Sequence, residues 1–177
     1  SGKVQIDIGY DHLPTLNGLC WQAISQCNEP PLLFRFAGQW SRVATDDLGR
    51  PCVQPATKEV VRHHLSQWAD WFKDIPQVGS KKPPMEVIQD VMATHNPPLP
   101  ILRRIVTTPV FARDGSLSLE PGYNAASGVY YAPKKGFVAE PVPDFVSQEQ
   151  VEDAREFVVT NLLIDFPFAT PADRANA

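Results

Sequence analysis

Apolar side chains recur at helical spacing in four stretches of the chain and alternate with polar ones in others. Val61, Leu65, Trp68 and Phe72 fall at i, i+4, i+7 and i+11, one stripe of a helix spanning 58–73. Thr57 supplies its N-cap, and Lys58, Glu59, Arg62, His63, Gln67 and Asp70 take the other face. Leu13, Leu16, Cys20, Ile24 and Cys27 predict a helix over 12–27 with Asp11 as cap, weakened at Gly18 and closed by Pro30-Pro31. Pro84 opens a third helix in which Met85, Ile88, Val91 and Met92 align, ended by Asn96 and the prolines behind it. A fourth covers 148–164, with Ser147 as cap and Gln150 at N3 in capping-box spacing. There Val151, Ala154, Val158 and Leu162 face one way, and Glu149, Glu152, Asp153 and Glu156 another.

Between the first two helices, Leu32–Ala37 and Trp40–Ala44 flank Gly38-Gln39 and predict a β-hairpin. Arg35 lies on the opposite face from Phe34 and Phe36. Asp46–Pro51 is a second turn, and Cys52-Val53-Gln54 a third short strand. From residue 99 the pattern changes to strands. Ile101–Phe111 is rich in β-branched residues, and Pro109 marks an edge or bulge. Turns at Arg113–Ser116, Glu120–Tyr123 and Ala126–Gly128 then stitch Leu117, Leu119 and Val129–Tyr131 into a β-meander. The 18 prolines among 177 residues, about twice average usage, punctuate these elements; Gly79-Ser80-Lys81-Lys82 is a polar linker.

Composition is otherwise that of a globular protein, 43% hydrophobic and 20% charged, which excludes disordered, collagenous and coiled-coil classes. The net charge of −4 is uneven. Residues 1–137 hold a balance of +2 and residues 138–177 one of −6, so a local basic face on the first part is compatible with an acidic whole. Three cysteines, Cys20, Cys27 and Cys52, an odd number without a signal peptide, point to free thiols in a cytoplasmic protein. No apolar run is long enough to span a bilayer. Ser1-Gly2 without an initiator Met, and the end at Ala-Asp-Arg-Ala-Asn-Ala, read as a piece cut from a longer protein.

The motifs that carry chemistry are missing. Neither G-x-x-x-x-G-K-[ST] nor G-x-G-x-x-G occurs, nor a G-x-S-x-G elbow. His63-His64, His95, Cys20, Cys27 and Cys52 are metal-ligand types without paired zinc spacing; the cysteines read as core packing. Asp46-Asp47 reads as a solvated turn rather than an acid/base pair. A nucleic-acid surface has a mechanism. Lys58 and Arg62 are i, i+4 neighbours on one helix, Arg35 and Arg42 lie on the hairpin before it, and Arg50 in the turn between. Arg103-Arg104 and Lys134-Lys135 extend the set, and several cations so placed can follow a phosphate backbone. Trp40 and Tyr123 are candidate base-stacking residues, although a Trp behind a hairpin turn more often closes the core. Against this stands the reading of the same cations as ordinary solubilising charges beside Glu59, Asp46 and Asp47.

Three stretches, in order, carry a resemblance: Leu33-Phe34-Arg35-Phe36-Ala37-Gly38-Gln39-Trp40-Ser41-Arg42-Val43; Leu99 through Leu117 with Glu120-Pro121-Gly122-Tyr123-Asn124 and Ser127-Gly128-Val129-Tyr130-Tyr131; and Asp165-Phe166-Pro167-Phe168 with Asp173-Arg174-Ala175-Asn176-Ala177. The chain over about 30–177 resembles the region just upstream of the ATPase core in primase–helicase-like proteins of phages and mobile genetic elements. The most specific part runs from Pro109 and Phe111 through Asp114-Gly115-Ser116-Leu117 to Glu120-Pro121-Gly122-Tyr123. The resemblance implies a non-catalytic domain beside a helicase motor. It carries no catalytic or binding residue over, so the basic cluster rests on the residues themselves.

The expectation is an α+β fold: an N-terminal helix, a β-hairpin followed by helices, with a winged-helix arrangement as one option, a β-meander and a C-terminal helix. Residues 1–10 are read as a lead-in, 11–165 as one accessory domain with a sub-boundary near 76–84, and 166–177 as a linker toward a downstream domain. The expected function is that of an accessory domain of a replication protein, not an enzyme in itself and without cofactor or metal. It contacts DNA through Arg35, Arg42, Arg50, Lys58, Arg62, Arg103 and Arg104, or positions the adjoining ATPase. Two other classes stay open. One is an interaction module without nucleic acid. The other is a small hydrolase or metal enzyme, which requires a cleft joining His63 or His64 to a thiol or carboxylate.

Overall fold

A computed structural model describes residues 2–9, 12–74, 81–112, 115–139, 141, 143, 145–167 and 169–170. It is mixed α+β and divides into two compact units, Ser1–Ala139 and Glu140–Ala177.

The first unit is built around a helical layer backed by a two-stranded parallel ribbon. Strand β1, Val4–Asp7, pairs in register with β5, Ala69–Phe72, Ile6 opposite Trp71. Both strands alternate, so Val4, Ile6, Ala69 and Trp71 are buried while Gln5 and Asp70 face out and hydrogen-bond at 2.7 Å. Helices α1, Leu13–Cys27, α2, Lys58–Trp68, and α3, Met85–Met92, pack on one another over this ribbon. Leu16, Cys20, Ala23 and Ile24 of α1, Val61 and Leu65 of α2, and Val87, Ile88 and Val91 of α3 meet in one core. Each large aliphatic side chain so buried contributes about 1.5–3 kcal/mol.

Several expectations need correction here. Residues 1–10, read as a lead-in, carry β1. Helix α2 stops at Trp68 rather than at 73, because Ala69–Phe72 alternates and finds β1 as a partner; Phe72 lies on the strand, not on the helical stripe. The Trp71 indole secures the change of direction by donating to the Leu65 carbonyl at 2.9 Å. Since α2 runs straight into β5 instead of turning into a second helix, the winged-helix option is not realised. The N-cap of α1 is His12, whose Nδ1 lies 2.8 Å from the Thr15 hydroxyl; Asp11 is outside the described residues. Helix α3 ends at Met92, ahead of Asn96. Gly79-Ser80, within the expected linker and sub-boundary, lies outside the described residues.

Strands β2, Phe34–Phe36, β3, Gln39–Thr45, and β4, Pro51–Pro55, form an antiparallel meander. Ala37 and Gly38, both with positive φ, make its first turn, the geometry that two-residue hairpin loops demand. The turn therefore falls one residue earlier than Gly38-Gln39. The register puts Arg35, Trp40, Arg42 and Gln54 on one face and Phe34, Ser41 and Val53 on the other. Trp40 meets Trp21 of α1 at 5.2 Å, so the face with the arginines is turned to the helices. Phe34 meets the rings of Tyr123 and Tyr130 edge-on at 5.2 and 6.2 Å, so the opposite face is turned to the remaining strands.

Those strands are not a simple meander. β6, Arg104–Val106, lies parallel to β10, Val129–Tyr131, which is antiparallel to β9, Gly122–Asn124. The hairpin of β7, Val110–Phe111, and β8, Leu117–Ser118, is set aside as its own ribbon. A parallel pair requires a crossover, and residues 107–128 provide it. Gly122 begins β9 rather than sitting in a turn, and Arg113-Asp114 lies outside the described residues.

In the second unit, α4, Gln148–Phe157, closes its capping box between Ser147 and Gln150 and continues as a single π-helical turn over Val158–Leu162. Every residue of α4 is exposed. Phe168 and Asp173–Ala177 of the third family-like stretch lie outside the described residues.

Candidate nucleic-acid interface

The seven expected cations do not share one surface. Arg42, on the helix-facing side of the hairpin, is half-buried; its Nη2 donates to Gln54 Oε1 at 3.2 Å and its Nε is buried without a hydrogen-bond partner. Its charge is felt by His64 on α2. That imidazole is held below its ordinary value first by burial, then by the neighbouring His63 and by Arg42, and it stacks on Trp68 at 4.9 Å. Arg62 spends its Nε on the Pro83 carbonyl at 2.8 Å. With Glu59, His63, Ser66 and Lys82 it lines a shallow cavity of about 310 Å³. Lys58 is exposed at the first turn of α2. Arg35 is half-buried, and its backbone ties β2 to the next segment, accepting from Leu102 N and donating to Pro100 O. That link brings Arg35 beside the exposed pair Arg103-Arg104. Arg103 packs its stem against Gly128, and its charge partly offsets the burial that raises the Tyr123 hydroxyl.

Arg50 belongs to a different place. The turn between β3 and β4 is organised by Asp46, whose Oδ1 accepts from Leu48 N and Arg50 N at 3.0 and 2.8 Å. Its Oδ2 pairs with the Arg50 guanidinium at 2.9 Å. These bonds, the Arg50 amide first among them, hold the Asp46 carboxyl below its usual range. The pairing fixes Arg50 at the mouth of a groove of about 640 Å³ between this turn and the sheet edge formed by β6 and the exit of β10. Lys134 and Lys135 line the same groove, with Leu48, Pro51, Ile105 and Ala132 as its apolar wall. Three cations thus face one carboxylate that Arg50 already neutralises.

By sequence Lys134-Lys135 only extend the cluster; the fold makes them its centre beside Arg50. A usable signal was the Pro133-Lys134-Lys135-Gly136 run directly behind a short strand. Trp40 is buried against Trp21 and Tyr123 is tied to the Ile101 carbonyl at 3.0 Å, so neither stands free to stack on a base.

Of the metal-ligand types, Cys20 is buried at the centre of the helical layer, where burial pushes its thiol up to about 12. Cys27 lies against the Trp68 carbonyl and Cys52 beside Gln54. Among the described residues no three His, Cys, Asp or Glu side chains converge on a metal-sized site, and no helix is long and apolar enough to cross a membrane. No family model, curated protein or solved structure matches the chain.

Proposed function

We propose that the chain is a non-catalytic accessory domain of a primase–helicase-like replication protein, contacting DNA beside an ATPase motor. The observation that carries the DNA contact is the groove that collects Arg50, Lys134 and Lys135 from two different loops, one before β4 and one after β10. Cations held this way neutralise successive phosphates and release their counterions. The family resemblance supplies the replication context. Arg42, on the helix-facing side of the hairpin with Arg35, drops out of the contact set; Arg62 lines its own shallow cavity away from the groove, and the exposed Arg103 and Arg104 remain as a neighbouring basic segment.

The test is fluorescence anisotropy with labelled DNA across a salt series. Two phosphate contacts, from Lys134 and Lys135, with Arg50 paired to Asp46, predict a log–log slope of about −1.5 to −2. Lys134→Glu/Lys135→Glu is expected to abolish binding at moderate salt with the fold intact by circular dichroism. No binding at low salt, or binding indifferent to the double variant, overturns the DNA contact.

A second reading is favoured by the C-terminal unit. Phe145, Leu162 and Ile164 are 93%, 68% and 69% exposed beside the acidic positions of α4, a combination that suits docking to a protein surface such as the adjoining ATPase. Retention of the ATPase domain on the immobilised chain, lost with Leu162→Glu, supports this reading; no retention removes it.

A further inference from the structure

We propose that the groove beside Arg50, Lys134 and Lys135 takes a single strand of DNA, with Phe137 as a base-stacking side chain. The inference rests on the DNA contact proposed above and adds the form of the ligand. Behind β10 the chain makes a four-residue turn, closed by the Phe137 N–H donating to the Lys134 carbonyl at 2.9 Å. Gly136 stands at its third position with φ +85°, where such a turn requires a positive φ. The turn therefore brings Phe137 back beside Lys134 and Lys135, next to the groove those lysines line, and Phe137 is 47% exposed there.

An exposed aromatic ring two residues from a pair of lysines has no role on a duplex, whose base faces are covered by their neighbours. A single strand offers both partners at once: phosphates for the lysines and open base faces for the ring. The groove wall argues the same way. Leu48, 74% exposed, and Pro51, Ile105 and Ala132 form an apolar surface under the cationic rim. The phosphate ridge of a duplex gains nothing from such a wall, whereas an unstacked base does.

The experiment compares oligothymidylate, a duplex of the same length and oligouridylate, each by anisotropy with the intact chain. The single DNA strand is expected to bind at least tenfold tighter than the duplex. Phe137→Ala is expected to weaken the single strand about tenfold, the order of one lost base stack, while leaving the duplex unchanged. Phe137→Trp, which keeps a ring, is expected to restore single-strand binding, and that readout separates stacking from any effect of truncation on the fold. Equal or tighter duplex binding, or a Phe137→Ala variant that binds the single strand as well as the parent, overturns this inference and leaves the DNA contact standing. Binding of oligouridylate with none of oligothymidylate overturns the assignment to DNA. Failure of every oligonucleotide at low salt overturns both proposals together.

Discussion

Asn28 offers the sharpest test of how the first unit holds together. It is buried just past the end of α1, and its side chain makes three hydrogen bonds to the loop leading into β2. Oδ1 accepts from Leu32 N at 2.9 Å and Leu33 N at 3.0 Å, and Nδ2 donates to Leu33 O at 2.9 Å. Asn28→Ala removes all three. The Leu32 N–H can turn to water, since that residue is half exposed, but Leu33 is wholly buried. Two backbone groups are then orphaned, each at about 1–3 kcal/mol. A loss of about 3 kcal/mol is expected, read as a lower urea midpoint at unchanged m and a melting temperature down by about 10 °C. Asn28→Asp keeps the acceptor for both N–H groups but sets a carboxylate against the Leu33 carbonyl. The variant therefore isolates the loss of the Nδ2 donor, and a deficit near that of one orphaned buried carbonyl is expected. An Asn28→Ala cost below about 1 kcal/mol would refute the view that this side chain holds the loop.

His64, held below its ordinary 6.5, is favoured neutral by the fold; its contribution is present above that value and fades as pH drops through it. His64→Gln is expected to flatten the stability profile between pH 7 and 5, and Arg42→Met to flatten it partly; an unchanged profile in urea titrations at each pH contradicts the assignment. Native protein is expected to expose Cys27 and Cys52 to a thiol reagent while Cys20 reacts only on unfolding; three equally fast thiols in the native state would contradict its burial. Gly128→Ala forces a Cβ to 2.9 Å from the Ile101 carbonyl at φ +68°, so a loss of about 1–3 kcal/mol is expected, and a melting temperature within about 1 °C of the parent would speak against that close approach.

The parts of the fold that announce themselves in sequence are those whose pattern is local. Thr57 and Ser147 cap their helices as their spacing implies, and Arg42 and Val53 fall in the strands their alternation predicts. Val4-Gln5-Ile6-Asp7 alternates as clearly, yet a four-residue strand is persuasive only beside a partner, and that partner was hidden at the end of a helical stripe. Trp68 and Phe72 fit helical spacing by coincidence, while Trp71, off the stripe, is the residue the core takes. The site was legible as residue types and not as a surface. Arg50, Lys134 and Lys135 meet only because β6 and β10 pair in parallel, a long-range decision that no local spacing records. Arg42 passes for a solvent-facing cation until the register turns it to the helices, and Arg62 until its Nε bonds the Pro83 carbonyl.

The β1–β5 ribbon has a bearing on how the molecule comes off the ribosome. Gln5 and Asp70 lie 65 positions apart in the chain, so β1 must wait, edge open, until α1, the hairpin and α2 have all emerged. During that interval Val4 and Ile6 have no shelter. Nascent chains whose Ala69–Phe72 segment is still inside the ribosome are therefore the ones most prone to capture by chaperones, and those in which it has emerged can close the ribbon and escape it.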